Sequence, residues 1–104
     1  MERRYGRVKV SDTFLWEYPE QCAAIFAKMQ AVVLRCEFMF IENTFYYDMY
    51  SPLFDIIPED VMIPDYRVNV TKHYDENETD LEVSVSKSGP TLYNNVLNKK
   101  DLDK

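Results

Sequence analysis

Glycine is scarce in this chain, with two residues in 104. That nearly excludes phosphate-cradling loops and tight glycine turns. Histidine is scarcer still: His73 is alone, and only two cysteines, Cys22 and Cys36, accompany it. One histidine cannot support most nucleophile–base–orienter triads. The Cys/His set is too small, and has no recognisable spacing, for a zinc site. No enzymatic activity, metal or cofactor is expected. Apolar runs fall far short of the ~20 residues that cross a bilayer, so no membrane role is predicted. The opening MERRYGRVKV has basic residues but no apolar stretch behind them, unlike a signal peptide. The expected compartment is the cytoplasm, where both cysteines are expected as buried thiols without a disulfide.

Positive charge is missing from the middle of the chain. Between Glu37 and Asp80 there are eleven Asp and Glu against Arg67 and Lys72, whereas the two ends are slightly basic. The net charge of -6 is therefore concentrated in one acidic field. Such a field disfavours direct nucleic-acid binding and favours basic partners.

Apolar residues are plentiful: 46% of the chain is hydrophobic and 14% aromatic, enough for one folded domain. RYGRVKV (4–10) alternates as a first strand, weakened by Gly6. SDTFLWEY follows as a connection anchored by Phe14 and Trp16. Residues 19–30 read as a helix: Pro19 suits its first turn, and Glu20 and Lys28 suit the dipole. Cys22, Ile25, Phe26 and Met29 form its apolar face. In the strand 31–41, Val32, Leu34, Cys36, Phe38 and Phe40 are expected to point one way. Val33, Arg35, Glu37, Met39 and Ile41 should point the other. A turn with Asn43 in a left-handed conformation leads into FYYDMYS. Three prolines make 52–64 an ordered loop, pinned by Leu53, Phe54, Ile56, Ile57, Val61 and Ile63. A second hairpin spans 65–87, with Tyr66, Val68, Val70, Leu81, Val83 and Val85 inward.

The predicted fold is α+β: a small, mostly antiparallel sheet of about five strands with the helix 19–30 on one face. Residues 1–88 form the compact domain. Residues 89–104 are a polar tail, either a short helix or a loose end.

The acidic turn DENETD (75–80) lacks the glycine and distal glutamate of a calcium loop. Tyr46 and Tyr50 could stack bases, but no basic groove accompanies them. The first hairpin is unusual because it is apolar on both sides. A single helix cannot cover both, so either the loop 52–64 and the tail fold over the second face, or another subunit does. In FYYDMYSPLF (45–54), Phe45, Tyr47 and Met49 serve the core, and Leu53 and Phe54 anchor the loop. That leaves Tyr46, Asp48 and Tyr50 outside. With Asp55, Glu59, Asp60 and Asp65 they make a surface of rings and carboxylates suited to cationic side chains.

Short, acidic, tyrosine-rich and free of motifs, the chain is similar in composition to small proteins of phages and other mobile elements. That resemblance implies a non-enzymatic inhibitor. It would occupy a basic, nucleic-acid-binding site of a host protein such as a defence nuclease, in the host cytoplasm. Two alternatives stand beside it. One is a small-ligand or nucleotide module with its site between subunits, using Tyr rings and Arg35 or Arg67. The other is an assembly protein acting through oligomerisation. A homo-oligomer, in the simplest case a dimer, is expected through the aromatic hairpin or the proline loop.

Overall fold

Tyr5, Arg7 and Lys9 alternate with Gly6, Val8 and Val10. The first strand, β1 (Tyr5–Ser11), thus has one polar and one apolar face. The computed structural model describes residues 2–74, 79–87 and 96–97, with the backbone alone at 73, 74, 79 and 80. In it β1 lies inside a sheet, and Ser11 ends it by capping a helix. The Ser11 Oγ accepts the Phe14 N–H at 3.2 Å. SDTFLWEY is therefore largely α1 (Asp12–Glu17) and not a connection. Phe14 is buried as expected, but Trp16 is 82% exposed. Two residues apart on a helix, the two side chains leave from different faces, so only one can be an anchor.

The second helix, α2 (Pro19–Lys28), begins on its proline and buries Cys22 and Ile25. Met29, just past its end, is also buried, and Phe26 packs beside them. Gln30 reverses the chain with φ 53°. The hydroxyl of Ser51 donates to the Met29 carbonyl at 2.7 Å, satisfying a group that the helix end leaves over.

Next come β2 (Val32–Met39) and β3 (Thr44–Tyr50), an antiparallel hairpin turned by Asn43 at φ 53°. β4 (Tyr66–Tyr74) and β5 (Thr79–Lys87) form the second hairpin, and β6 (Val96–Leu97) is two residues long. The order in the first sheet is β2-β3-β1-β6; β4 and β5 make a separate two-stranded sheet. The architecture is thus mixed α/β and mostly antiparallel, with six strands in two sheets and two helices among the described residues. A single five-stranded sheet with one helix was expected.

The second hairpin does not extend the first sheet because the far edge of β1 is already used. There the Arg7 N–H donates to the Pro64 carbonyl at 2.9 Å, and Lys9 and Val10 pair in parallel with Val96 and Leu97. Leu97 is buried. These two residues are strand, where the sequence suggested a short helix or a loose end. The rest of 89–104, residues 75–78 of the acidic turn and the side chain of His73 lie outside the described residues. Tyr66, Val68 and Val70 join Val8, Val10, Phe14, Ile25 and Met49 in one core, with Leu81, Val83 and Val85 packed against it.

The proline-rich segment is an ordered loop, as expected, but fewer side chains pin it. Phe54 and Ile57 are buried and Ile63 half-buried, whereas Leu53, Ile56 and Val61 are exposed. Backbone bonds do the rest. The Ser51 N–H donates to Arg4 O at 3.1 Å, and the Ile57 N–H to Arg3 O at 2.9 Å. The Arg4 guanidinium donates to Phe54 O at 2.8 Å. Among the described residues, no helix is long and apolar enough to cross a membrane.

Candidate functional site

The register of β1 on β3 sets Tyr5 opposite Tyr50, Arg7 opposite Asp48 and Lys9 opposite Tyr46. Directly paired residues share a face, so the outer face of these strands carries rings, carboxylate and two bases together. The Arg7 guanidinium grips the Asp48 carboxylate through Nε at 2.7 Å and Nη2 at 3.3 Å. The hydrogen bond to Asp48 raises the pKa of Arg7 further, despite its partial burial. Lys9 is 2% exposed, with its ammonium 3.4 Å from Asp65 and 4.9 Å from the centre of the Tyr46 ring. The Arg7 guanidinium lies 5.4 Å from that same ring. The Tyr46 hydroxyl donates to Glu42. Burial and this acidic neighbour push the phenol up to about 12.

This arrangement alters the expected cation-receiving surface. Tyr46, Asp48 and Asp65 do converge on cationic side chains, but those belong to the chain itself. Asp48 is buried under Arg7, not presented outward. Tyr50 stands apart, edge-on to Tyr5 at 6.5 Å. Asp55, Glu59 and Asp60 lie exposed on the loop. Asp55 reaches Lys87 at 3.4 Å, and the carbonyl of Glu59 accepts from Arg3 at 3.4 Å. Tyr50 aside, these acidic and aromatic positions divide into a group paired with Arg7 and Lys9 (Tyr46, Asp48 and Asp65) and an exposed loop group (Asp55, Glu59 and Asp60). Arg7 and Lys9 were missed as their partners. Their alternation with Val8 and Val10 put them on the outer face, but which strand lay beside them was not visible locally.

The other surface is β2. Seven of its eight residues are exposed, and among the described residues β3 is its only neighbour in the sheet. Its register slips between Val33 and Arg35, leaving Leu34 as a bulge. Val32 pairs with Tyr50, Arg35 with Asp48 and Glu37 with Tyr46, all on the outer face. Val33 pairs with Met49, Cys36 with Tyr47 and Phe38 with Phe45, on the core side. The expected division holds from Arg35 to Met39 and is inverted for Val32 and Val33, because the bulge adds one residue. On the core side α2 reaches β3, with Phe26 and Tyr47 rings 5.2 Å apart, but leaves β2 open. Cys36 is consequently exposed, contrary to expectation, whereas Cys22 is buried. Burial pushes the Cys22 thiol up to about 11. Tyr47 rises to about 12, through burial first and then the two cysteines near it.

Exposed apolar groups continue beyond the strand. Phe40 is 74% exposed and Ile41 86%. Leu15, Trp16, Pro19 and Phe45 line an open hollow of about 320 Å³. Arg35 and Arg67, the two candidate phosphate ligands, stand on different sheets. Among the described residues, no three His, Cys, Asp or Glu side chains converge to hold a metal ion. Comparison with family models, with curated proteins and with solved structures finds no match to this chain.

Proposed function

We propose that this protein acts by binding another polypeptide, without catalysis, and that the open strand β2 with its hairpin tip is the working surface. One observation carries this reading: an eight-residue strand that, among the described residues, is an edge, exposed on both faces and mainly apolar. Edge strands offer unpaired N–H and C=O groups to an incoming strand. Proteins that keep such edges closed use lysine or proline, and β2 has neither. Strand addition takes affinity from the main chain and specificity from alternate side chains. Val33, Phe38 and Phe40 supply the apolar contacts, and Arg35 and Glu37 the polar ones.

A second reading rests on the exposed Asp55, Glu59 and Asp60. An inhibitor that blocks a basic, nucleic-acid-binding site of a host protein would use this loop and not Asp48, which Arg7 occupies. Affinity capture from the native cell separates the two. The comparison sets the wild type against Leu34→Lys/Phe38→Lys and against Asp55→Asn/Glu59→Gln/Asp60→Asn. Loss of the captured partner in the strand variant alone supports the first reading. Loss in the loop variant alone, with strong salt sensitivity, replaces it with the second.

A further inference from the structure

Around Cys36 the sequence of β2 and its continuation is symmetric in polarity and inverted in charge. Val32, Val33, Leu34 and Arg35 precede it; Glu37, Phe38, Met39 and Phe40 follow. Three apolar residues and a base thus mirror an acid and three apolar residues. We infer that the occupant of the β2 edge is a second copy of this chain, paired antiparallel about a two-fold axis through Cys36. The inference rests on β2 being the working surface and names its partner.

The geometry follows from strand pairing. A two-fold axis perpendicular to the sheet sets residue 36-n of one copy opposite 36+n of the other; the faces match on either side of Cys36, and the bulge at Leu34, which turns Val33 to the core side while Met39 stays outer, ends the matched register there. Arg35 then faces Glu37 of the second copy, and Glu37 faces its Arg35, giving two ion pairs across the axis. Leu34, the bulged residue, falls opposite Phe38 of the second copy. Cys36 meets Cys36. An axis through residue 35 would oppose two arginines, and one through residue 37 two glutamates. Like charges directly opposite are unfavourable, and only an axis through residue 36 sets Arg35 against Glu37, so the ion pairs favour that register. In the single chain Arg35 Nη2 and Glu37 Oε2 satisfy each other along the strand at 3.1 Å, with both side chains at least half exposed. They are therefore free to exchange that contact for the one across the axis. The two four-stranded sheets would become one continuous sheet, and neither β2 would remain an edge. A single strand edge is smaller than the about 800 Å² per partner of a standard interface. The dimer is accordingly expected to be concentration-dependent, with the ion pairs deciding its register.

The test is a charge exchange. Arg35→Glu makes both positions acidic, and Glu37→Arg makes both basic. Each variant alone should lose at least about tenfold in self-association by sedimentation equilibrium, since two attractive pairs become repulsive. Mixed in equal amounts, the two should associate with each other, because every opposed pair is again acid against base. A short bismaleimide should join wild-type chains through Cys36 and leave Cys36→Ser unjoined. Both charged positions are exposed, so folding, checked by circular dichroism, should be unaffected. Variants that remain monomeric when mixed, or single variants that dimerise like the wild type, overturn the pairing. If that happens while Leu34→Lys/Phe38→Lys still abolishes partner capture, the open strand keeps its role with a different occupant. If the strand variant also captures normally, both proposals fall.

Discussion

Lys9 and Asp65 test the charge network on the outer face of β1 and β3, because their burial is unequal. Lys9 is 2% exposed at its side chain and Asp65 25%, with 3.4 Å between the charged atoms. Removing one partner of a buried pair costs about 3–5 kcal/mol, since the other charge is left uncompensated. In Asp65→Asn the stranded group is the ammonium, which water scarcely reaches. The Tyr46 ring at 4.9 Å offsets part of that loss, by about 1 kcal/mol. The expected cost is about 2–4 kcal/mol, or about 10–15 °C in Tm for a chain of this size. Lys9→Met behaves differently. Methionine fills the same apolar stem space, and the Asp65 carboxylate, a quarter exposed, can turn to water and keeps the attraction of Arg7, so the cost should stay below about 1 kcal/mol. Urea unfolding of the two single variants and the double variant measures all three terms. The double variant should cost less than the sum of the two single variants, because the Asp65 charge is felt most by the ammonium and only in part by Arg7. A Lys9→Met cost equal to or above that of Asp65→Asn would refute the reasoning, as would additivity in the double variant.

Gly6→Ala should destabilise by about 1–3 kcal/mol in the same assay, since a Cβ there would sit 2.6 Å from Tyr66 Cδ2 and 2.8 Å from Phe54 Cε2. Those two rings are stacked and buried, so neither can yield easily. In the folded protein, Cys36 should react with iodoacetamide while Cys22 stays protected until the chain unfolds. Stability should fall with rising pH in the alkaline range. Folding holds the Cys22 proton up to about 11 and the Tyr46 and Tyr47 protons up to about 12. The unfolded chain releases them near the ordinary values of 9 and 10. The unfolded state thus binds fewer protons in this window, and the contribution is complete below about pH 9 and lost as pH climbs toward 12. A urea midpoint that stays flat across that range would contradict the burial of these groups.

Local pattern was enough to find α2, the turn at Asn43 and the inward faces of β4 and β5. Each of those is decided by residues within one turn or one strand of each other. What local pattern could not supply was adjacency. Arg7 meets Asp48 only because β1 lies beside β3, and nothing within either strand states that. The bulge at Leu34 was equally invisible, yet it decides which way Val32 and Val33 point. Trp16 misled for another reason. A large ring invites an inward assignment, but Ser11 starts a helix that turns Phe14 in and Trp16 out. The candidate surface shifted accordingly. Tyr46 and Asp48 were rightly placed on the outer face, but the cations they attract come from two strand positions of the same chain.

The position of β1 has a consequence for the order of folding. Its partners are β3 on one side and Pro64 and β6 on the other. Every one of them comes later in the sequence, and β6 comes last among the described strands. Synthesised before the other described strands, β1 must wait with an apolar face until the hairpin, the loop and finally Val96 and Leu97 have followed. Such long-range closure slows folding and exposes the waiting strand to foreign pairing. A ribosome-bound chain halted before Val96 should therefore be sensitive to protease at β1, and one extended past Leu97 should be protected there.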